Sequence, residues 1–173
     1  MRSTKGFSLI ELLIVVAIIL IIAAIAIPNL LQAKIAANES SAAGSLRTLT
    51  TAEVTYFNAY PTLGYPSTIG PLGGAGPCTP LPATACIIDN SLATATPGGA
   101  GKSGYYLLAT GSITGGATYN DVYVLGAAPI KVNSTGNRDF CSANDGVLRS
   151  QMANIGDLPV NVVATCLVFP VAQ

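Results

Sequence analysis

The chain predicts an α+β protein in which one long N-terminal helix, apolar in its first half and amphipathic in its second, packs on a small antiparallel sheet. Three observations predict it. Phe7 to Ile27 is an almost unbroken apolar run. Further on, Leu31, Ile35, Ala42, Leu46, Leu49, Tyr56 and Tyr60 fall within about 60° of one another on a helical wheel. After Gly104, short strand-like segments alternate with turn-forming residues.

From Leu12 to Ile27 every residue is Leu, Ile, Val or Ala. At ~1.5 Å per helical residue, residues 7–27 reach across the hydrocarbon core of a bilayer. Arg2 and Lys5 precede the run, so the positive-inside rule predicts a cytoplasmic N-terminus and an exported remainder. Two general readings fit part of this. A removable secretory signal has a basic start, an apolar run and a small-residue cleavage pattern, and Ala24-Ile25-Ala26 offers one. A plain single-span anchor explains the length. Neither explains Glu11, because an ionisable residue inside an apolar span is costly and calls for a functional partner.

The residues Lys5-Gly6-Phe7-Ser8-Leu9-Ile10-Glu11-Leu12 resemble the N-terminal signature of type IV prepilins and of type II secretion pseudopilins. The resemblance covers Lys5 to about Tyr60. It implies a pilin fold, a leader over residues 1–6 removed by a prepilin peptidase between Gly6 and Phe7, N-methylation of Phe7, and an assembly role for Glu11. Pro28 stands where the family has its helix-weakening proline. The partners so implied are further copies of the same chain in a helical filament, the peptidase/methyltransferase and an inner-membrane assembly platform. The expected role is that of a structural subunit, a major pilin, held in the inner membrane before assembly and in a surface pilus after it. A type II secretion pseudopilin is the alternative, and a membrane-tethered exported binding module is a third reading from a different class.

The remaining elements follow in order. The amphipathic stripe carries the helix past Pro28 to about Tyr60, so the helix spans residues 7–60. Pro28 has no N–H for the Ala24 carbonyl, and a kink or melted turn is expected just before it. Asn38 and Glu53 interrupt the stripe. They read either as solvated positions at its edge or, for Glu53, as a group partly buried and hydrogen-bonded by head-domain or neighbouring-subunit groups. Tyr56, Phe57 and Tyr60 read as core rather than as an electron-transfer stack.

The head is expected over residues 61–173, beginning with a loop region at 61–104 rich in Pro and Gly that needs a tether to be ordered. Cys86 to Leu92 suits a short helix or turn. Strands are expected at Tyr105 to Thr110, Asp121 to Leu125 continuing through Ile130 to Val132, Arg138 to Ser142, and Val147 to Gln151. Thr114-Gly115-Gly116, Asn133 to Asn137 and Asn144-Asp145-Gly146 separate them as turns. Val160 to Phe169, bounded by Pro159 and Pro170, reads as a further strand or a packed segment.

Four cysteines in an exported chain favour disulfides, since there is no C-x-x-C pair and no His. Of the three pairings, Cys78 with Cys86 and Cys141 with Cys166 are favoured, the first as a loop clasp and the second as a fastening for the C-terminal segment. Asn137, Asp139, Asn144 and Asp145 gather around a hairpin. The pseudopilin resemblance admits a calcium ion there, but without EF-hand spacing turn chemistry is the stronger reading.

Charged residues are only 9% of the chain, and removing Arg2 and Lys5 leaves six basic against eight acidic side chains. That balance gives no electrostatic footprint for nucleic acid. The lack of His excludes a His-containing triad, and no P-loop, Rossmann, zinc or nucleophile-elbow pattern is present, so neither an enzyme nor a cofactor is expected.

Overall fold

The computed structural model of the protein describes residues 6–172. The expected leader therefore lies outside the described residues except for Gly6. The chain forms two compact units, one ending at Lys34 and the other running from Ile35 onward. Helix α1, Leu9–Ala59, contributes to both.

In the first unit the helix is apolar on all sides, and its Leu, Ile and Val side chains are exposed throughout. Its length and composition suffice to cross a membrane. Helical structure is unbroken through Pro28, so the turn before it is not melted.

In the second unit α1 uses one face. Ala42, Leu46, Leu49, Ala52 and Tyr56 are buried and form one core with the sheet. The stripe begins later than its periodicity suggests, because Leu31 is exposed and Ile35 only half-buried.

The sheet is an antiparallel meander of β1 (Tyr105–Ser112), β2 (Val122–Pro129), β3 (Arg138–Ala143) and β4 (Leu148–Met152), in that order. Tyr105, Leu107 and Ala109 alternate inward along β1, as a strand covered on one face requires. Strand β2 is buried on both faces. Tyr123, Leu125 and Ala127 meet α1, whereas Val124 faces a second cluster with Cys141, Cys166 and Phe169. Register pairs Gly126 with Cys141 and Asp139 with Gln151. Strand β2 ends at Pro129, short of Val132, because the chain turns at Lys131 to Gly136. There the Thr135 hydroxyl accepts from the Lys131 N–H at 3.0 Å.

The region before the sheet is ordered by burial and by backbone hydrogen bonds. Ile69, Leu72, Ile88 and Leu92 enter the main core, and the Ala85 and Ile87 N–H groups donate to Pro71 and Leu72 carbonyls at 2.7 and 2.8 Å. Cys78 and Cys86 are disulfide-bonded, with Cα atoms 6.0 Å apart. Helix α2, Asn90–Ala93, is one turn long, and the Asp89 carboxylate caps it by accepting from the Leu92 N–H at 2.9 Å.

The C-terminal segment is packed rather than paired as a further full strand. It forms the short helix α3, Val163–Leu167, whose Cys166 is bonded to Cys141 of β3 with Cα atoms 5.7 Å apart. Only the last residues run beside β4, where the Ser150 N–H donates to Pro170 O at 2.9 Å. The reason lies in β2 and β3, whose outer faces need an apolar cover that Val160, Val163, Cys166 and Phe169 supply.

The Val160 backbone lies directly on Gly126, leaving no room for a Cβ. Gly126→Ala is expected to destabilise the head by about 1–3 kcal/mol, as overpacking does. Chemical denaturation of the full-length chain in detergent checks this.

Candidate processing and assembly site

Gly6 and Phe7 lie ahead of α1 in non-helical backbone, and Phe7 is 89% exposed. A Cβ added at Gly6 would meet nothing within 4 Å. The Gly6–Phe7 peptide bond is thus accessible and free of helical hydrogen bonding. Ser8 immediately precedes the helix, and its backbone N–H donates to Glu11 Oε2 at 2.9 Å.

That contact is half of a capping box, in which the acid three residues into a helix reaches back to the N-cap amide. The carboxylate also sits at the positive end of the helix dipole. Sequence reasoning missed this role, although Ser8-x-x-Glu11 is its signature. In the uncleaved chain Phe7 is an amide, and Glu11 is satisfied locally. No other ionisable side chain occurs between Phe7 and Gln32.

The head carries acids whose environments differ sharply. Glu39 accepts from the Asn137 N–H and from Arg138 Nε, both at 2.9 Å, and Arg138 also stacks over Phe140. This pairing links residues 99 apart in sequence and has no local signal. Asn38 is part-buried and donates to Thr135 O at 2.8 Å, so it is not the solvated edge residue of the simpler reading. Asp145 serves the β3–β4 turn, accepting from the Val147 N–H and pairing with Arg149 at 2.6 Å. Asn137 Oδ1 accepts from the Asn133 N–H, while Asp139 turns to the opposite side of the sheet from Glu39. These residues therefore serve separate contacts rather than one shared site.

Glu53 is 0% exposed, and neither carboxyl oxygen has a hydrogen-bond partner. The solvated reading fails for it. Glu53 is buried, as the alternative reading has it, and no head-domain group hydrogen-bonds its carboxyl. Burial alone pushes its pKa from 4.5 to about 8. Tyr56, Tyr65 and Tyr123 surround it in an aromatic group, with Tyr65 and Tyr123 ring centroids 4.7 Å apart. Tyr56 and Tyr60, 4.9 Å apart, belong to the same core.

Comparison with known proteins bears on the N-terminal end. Residues 1–27 match the prokaryotic N-terminal methylation motif. The chain is also similar to the type IV wide pilus major component PilA4 of Thermus thermophilus, with 65% identity over 40 residues. That alignment covers 23% of this chain and 30% of the relative. It is 50% identical over 54 residues to the type IV major pilin protein PilA of Myxococcus xanthus, covering 31% of this chain and 24% of that one. The chain thus spans under a third of the length of these curated relatives. No solved structure matches it.

Because Glu53 is protonated in the folded head and ionised in the unfolded chain above pH 4.5, the unfolded state binds fewer protons across the window from 4.5 to about 8. Its contribution is fully present below that window and is lost as pH rises through it, by on the order of a few kcal/mol. Glu53→Met is expected to flatten this dependence and to stabilise the head at neutral pH. Denaturation midpoints of the full-length chain measured across the window provide the check.

Proposed function

We propose that this chain is a structural, non-enzymatic subunit of a type IV pilus. It enters the inner membrane with its N-terminus in the cytoplasm and its head outside. A prepilin peptidase cuts between Gly6 and Phe7, Phe7 is N-methylated, and an inner-membrane platform draws the mature chain into a helical filament of identical copies. The observation that carries this reading is the methylation motif placed on a helix whose apolar side chains are exposed on every side. Such a surface is stable only in lipid or against other apolar helices.

Assembly exchanges one apolar environment for the other. In the precursor, Glu11 caps its own helix through the Ser8 N–H. Cleavage turns the Phe7 amide into an ammonium, a stronger partner for a carboxylate than a neutral amide. That ammonium belongs to the same chain or to the neighbour docked beside it. In a dry filament core an unpaired carboxylate is heavily penalised, so the pair selects the axial register more than it adds net stability. Pro28, unable to donate to the Ala24 carbonyl, weakens the helix where copies must adjust to one another. The named roles of the two relatives favour a surface pilus over a secretion pseudopilus.

Two outcomes are expected. Replacing Gly6 by a bulky residue leaves full-length precursor in the membrane, whereas the wild-type surface protein has an intact mass and N-terminal sequence beginning at methylated Phe7. Glu11→Val is inserted and cut but yields few or no filaments in sheared surface material, and Glu11→Gln is intermediate. Normal assembly of Glu11→Val would overturn the pairing, and a mature N-terminus at Met1 or Ile27 would overturn the whole reading.

A further inference from the structure

The end of the head where the packed part of α1 begins carries an apolar corner that neither core uses. Hydrogen bonds and strand register define this end. Asn38 Nδ2 donates to Thr135 O at 2.8 Å, and the Ile130 N–H donates to Gly104 O at 2.9 Å. A Cβ on Gly104 would touch both Thr135 and Asn38 Nδ2, so these loops meet at one place. Met152 pairs with Arg138 in register, and the Ala153 N–H donates to Asn137 O at 2.9 Å. The β1–β2 turn lies at the opposite end, past Ala59, where the Tyr65 N–H donates to Asn120 O at 2.9 Å.

Ile155 is 92% exposed, and Met152, Leu158 and Ile130 are exposed beside it. Ile130, Ile155 and Leu158 line one open cleft of about 320 Å³ together with Lys131. Ile155 stands on a tight turn that fixes where it projects. The Asp157 N–H donates to Asn154 O at 3.1 Å, and Asp157 Oδ2 accepts from the Asn154 N–H at 2.8 Å and from Asn154 Nδ2 at 3.0 Å. Gly156 supplies the positive φ, +90°, that such a turn takes at its third residue. A cluster of large apolar side chains presented in this way marks a contact surface.

Chain connectivity alone brings a lipid surface to this end. Eight positions separate Ile27, the last residue of the apolar run, from Ile35, the first of the head unit. They span ~12 Å as helix and at most about 28 Å fully extended. The headgroup layer itself adds roughly 5–8 Å on each side of the hydrocarbon core. Charge also suits lipid phosphate. Lys131 is exposed on the corner, and Lys102 lies in the adjoining loop, where a Cβ on Gly101 would touch Ile130. Asp157 is the acid in the cleft, and its carboxylate is taken by Asn154, while Arg138 is paired with Glu39.

We propose that before assembly this corner sits on the bilayer, with Ile155 and Leu158 entering the headgroup boundary and Lys131 facing lipid phosphate. The inference rests on the membrane topology given under Proposed function. It makes the waiting head a second, weak membrane anchor, and that contact is broken when the subunit joins a filament.

The chain has no Trp, so a single introduced indole reports its own surroundings. Full-length Ile155→Trp and Ile113→Trp are placed in vesicles of phosphatidylcholine and phosphatidylglycerol brominated near the headgroup, at large lipid excess. Ile113, exposed just after β1 at the opposite end of the head, is the control. Bromolipid is expected to quench Ile155→Trp at least about threefold more than Ile113→Trp, with aqueous acrylamide giving the reverse order. An indole favours interfaces by itself, so Ile130→Ser and Leu158→Asp are added to Ile155→Trp and are expected to bring its lipid quenching down to the control level. Equal quenching of the two indoles would overturn the proposal, as would lipid quenching that survives those two changes. Quenching by lipid that falls, with acrylamide also excluded, as the protein-to-lipid ratio rises would place a second copy on the corner and overturn it too. Extraction of the chain from the vesicles by alkaline carbonate would overturn the membrane topology as well, whereas an inserted chain with an aqueous Ile155→Trp overturns this contact alone.

Discussion

The head depends on one packing contact, the face of α1 formed by Ala42, Leu46, Leu49, Ala52 and Tyr56 laid on β1 to β3. A four-stranded meander has two faces to cover, and this helix covers the first with side chains that are small near one end and aromatic near the other. Tyr56 donates its hydroxyl to Pro82 O at 2.8 Å. The loop region is drawn into the same core through Ile69, Leu72 and Leu92, so its order derives from burial as much as from the Cys78–Cys86 bond.

The second face is covered differently. The outer sides of β2 and β3 carry Val124, Gly126, Asp139 and Cys141, a mixture of small, apolar and ionisable groups on which a long apolar helix could not sit. The C-terminal segment suits it by crossing as irregular chain. It uses the missing side chain of Gly126 for backbone contact and a disulfide at Cys141. Both faces therefore bury an acid without a cation beside it, Glu53 on the inner and Asp139 on the outer, and both acids are raised toward neutrality by the same cause, the loss of water.

Much of this was legible in the chain. The amphipathic period identified the buried face of α1 but started it at Leu31, well ahead of the first buried residues Glu39 and Ala42, and Asn144-Asp145-Gly146 placed the tightest hairpin. The four strands were located to within about two residues at most of their ends, with β2 the exception. At the N-terminus, Gly6-Phe7 and Glu11 stood out because a lone acid in an apolar run has few ordinary explanations. The half capping box was equally visible in Ser8-x-x-Glu11, where the partner of the acid stands three residues away.

What the sequence determined by itself is local: helix and strand period, turn chemistry, a span of membrane length and a processing motif. Each follows from residues within a few positions of one another, where backbone geometry repeats. What only the tertiary structure decided is which face is covered, and by what. Glu53 lies on the stripe either way, but whether it meets water depends on the chain that folds over it. Glu39 meets Arg138 across 99 residues, and within Val160 to Phe169 the chain makes a turn of helix at Val163–Leu167 whose Cys166 packs on β2 and β3. Periodicity gives the direction in which a side chain points; desolvation, which sets its charge, depends on what arrives from elsewhere in the chain.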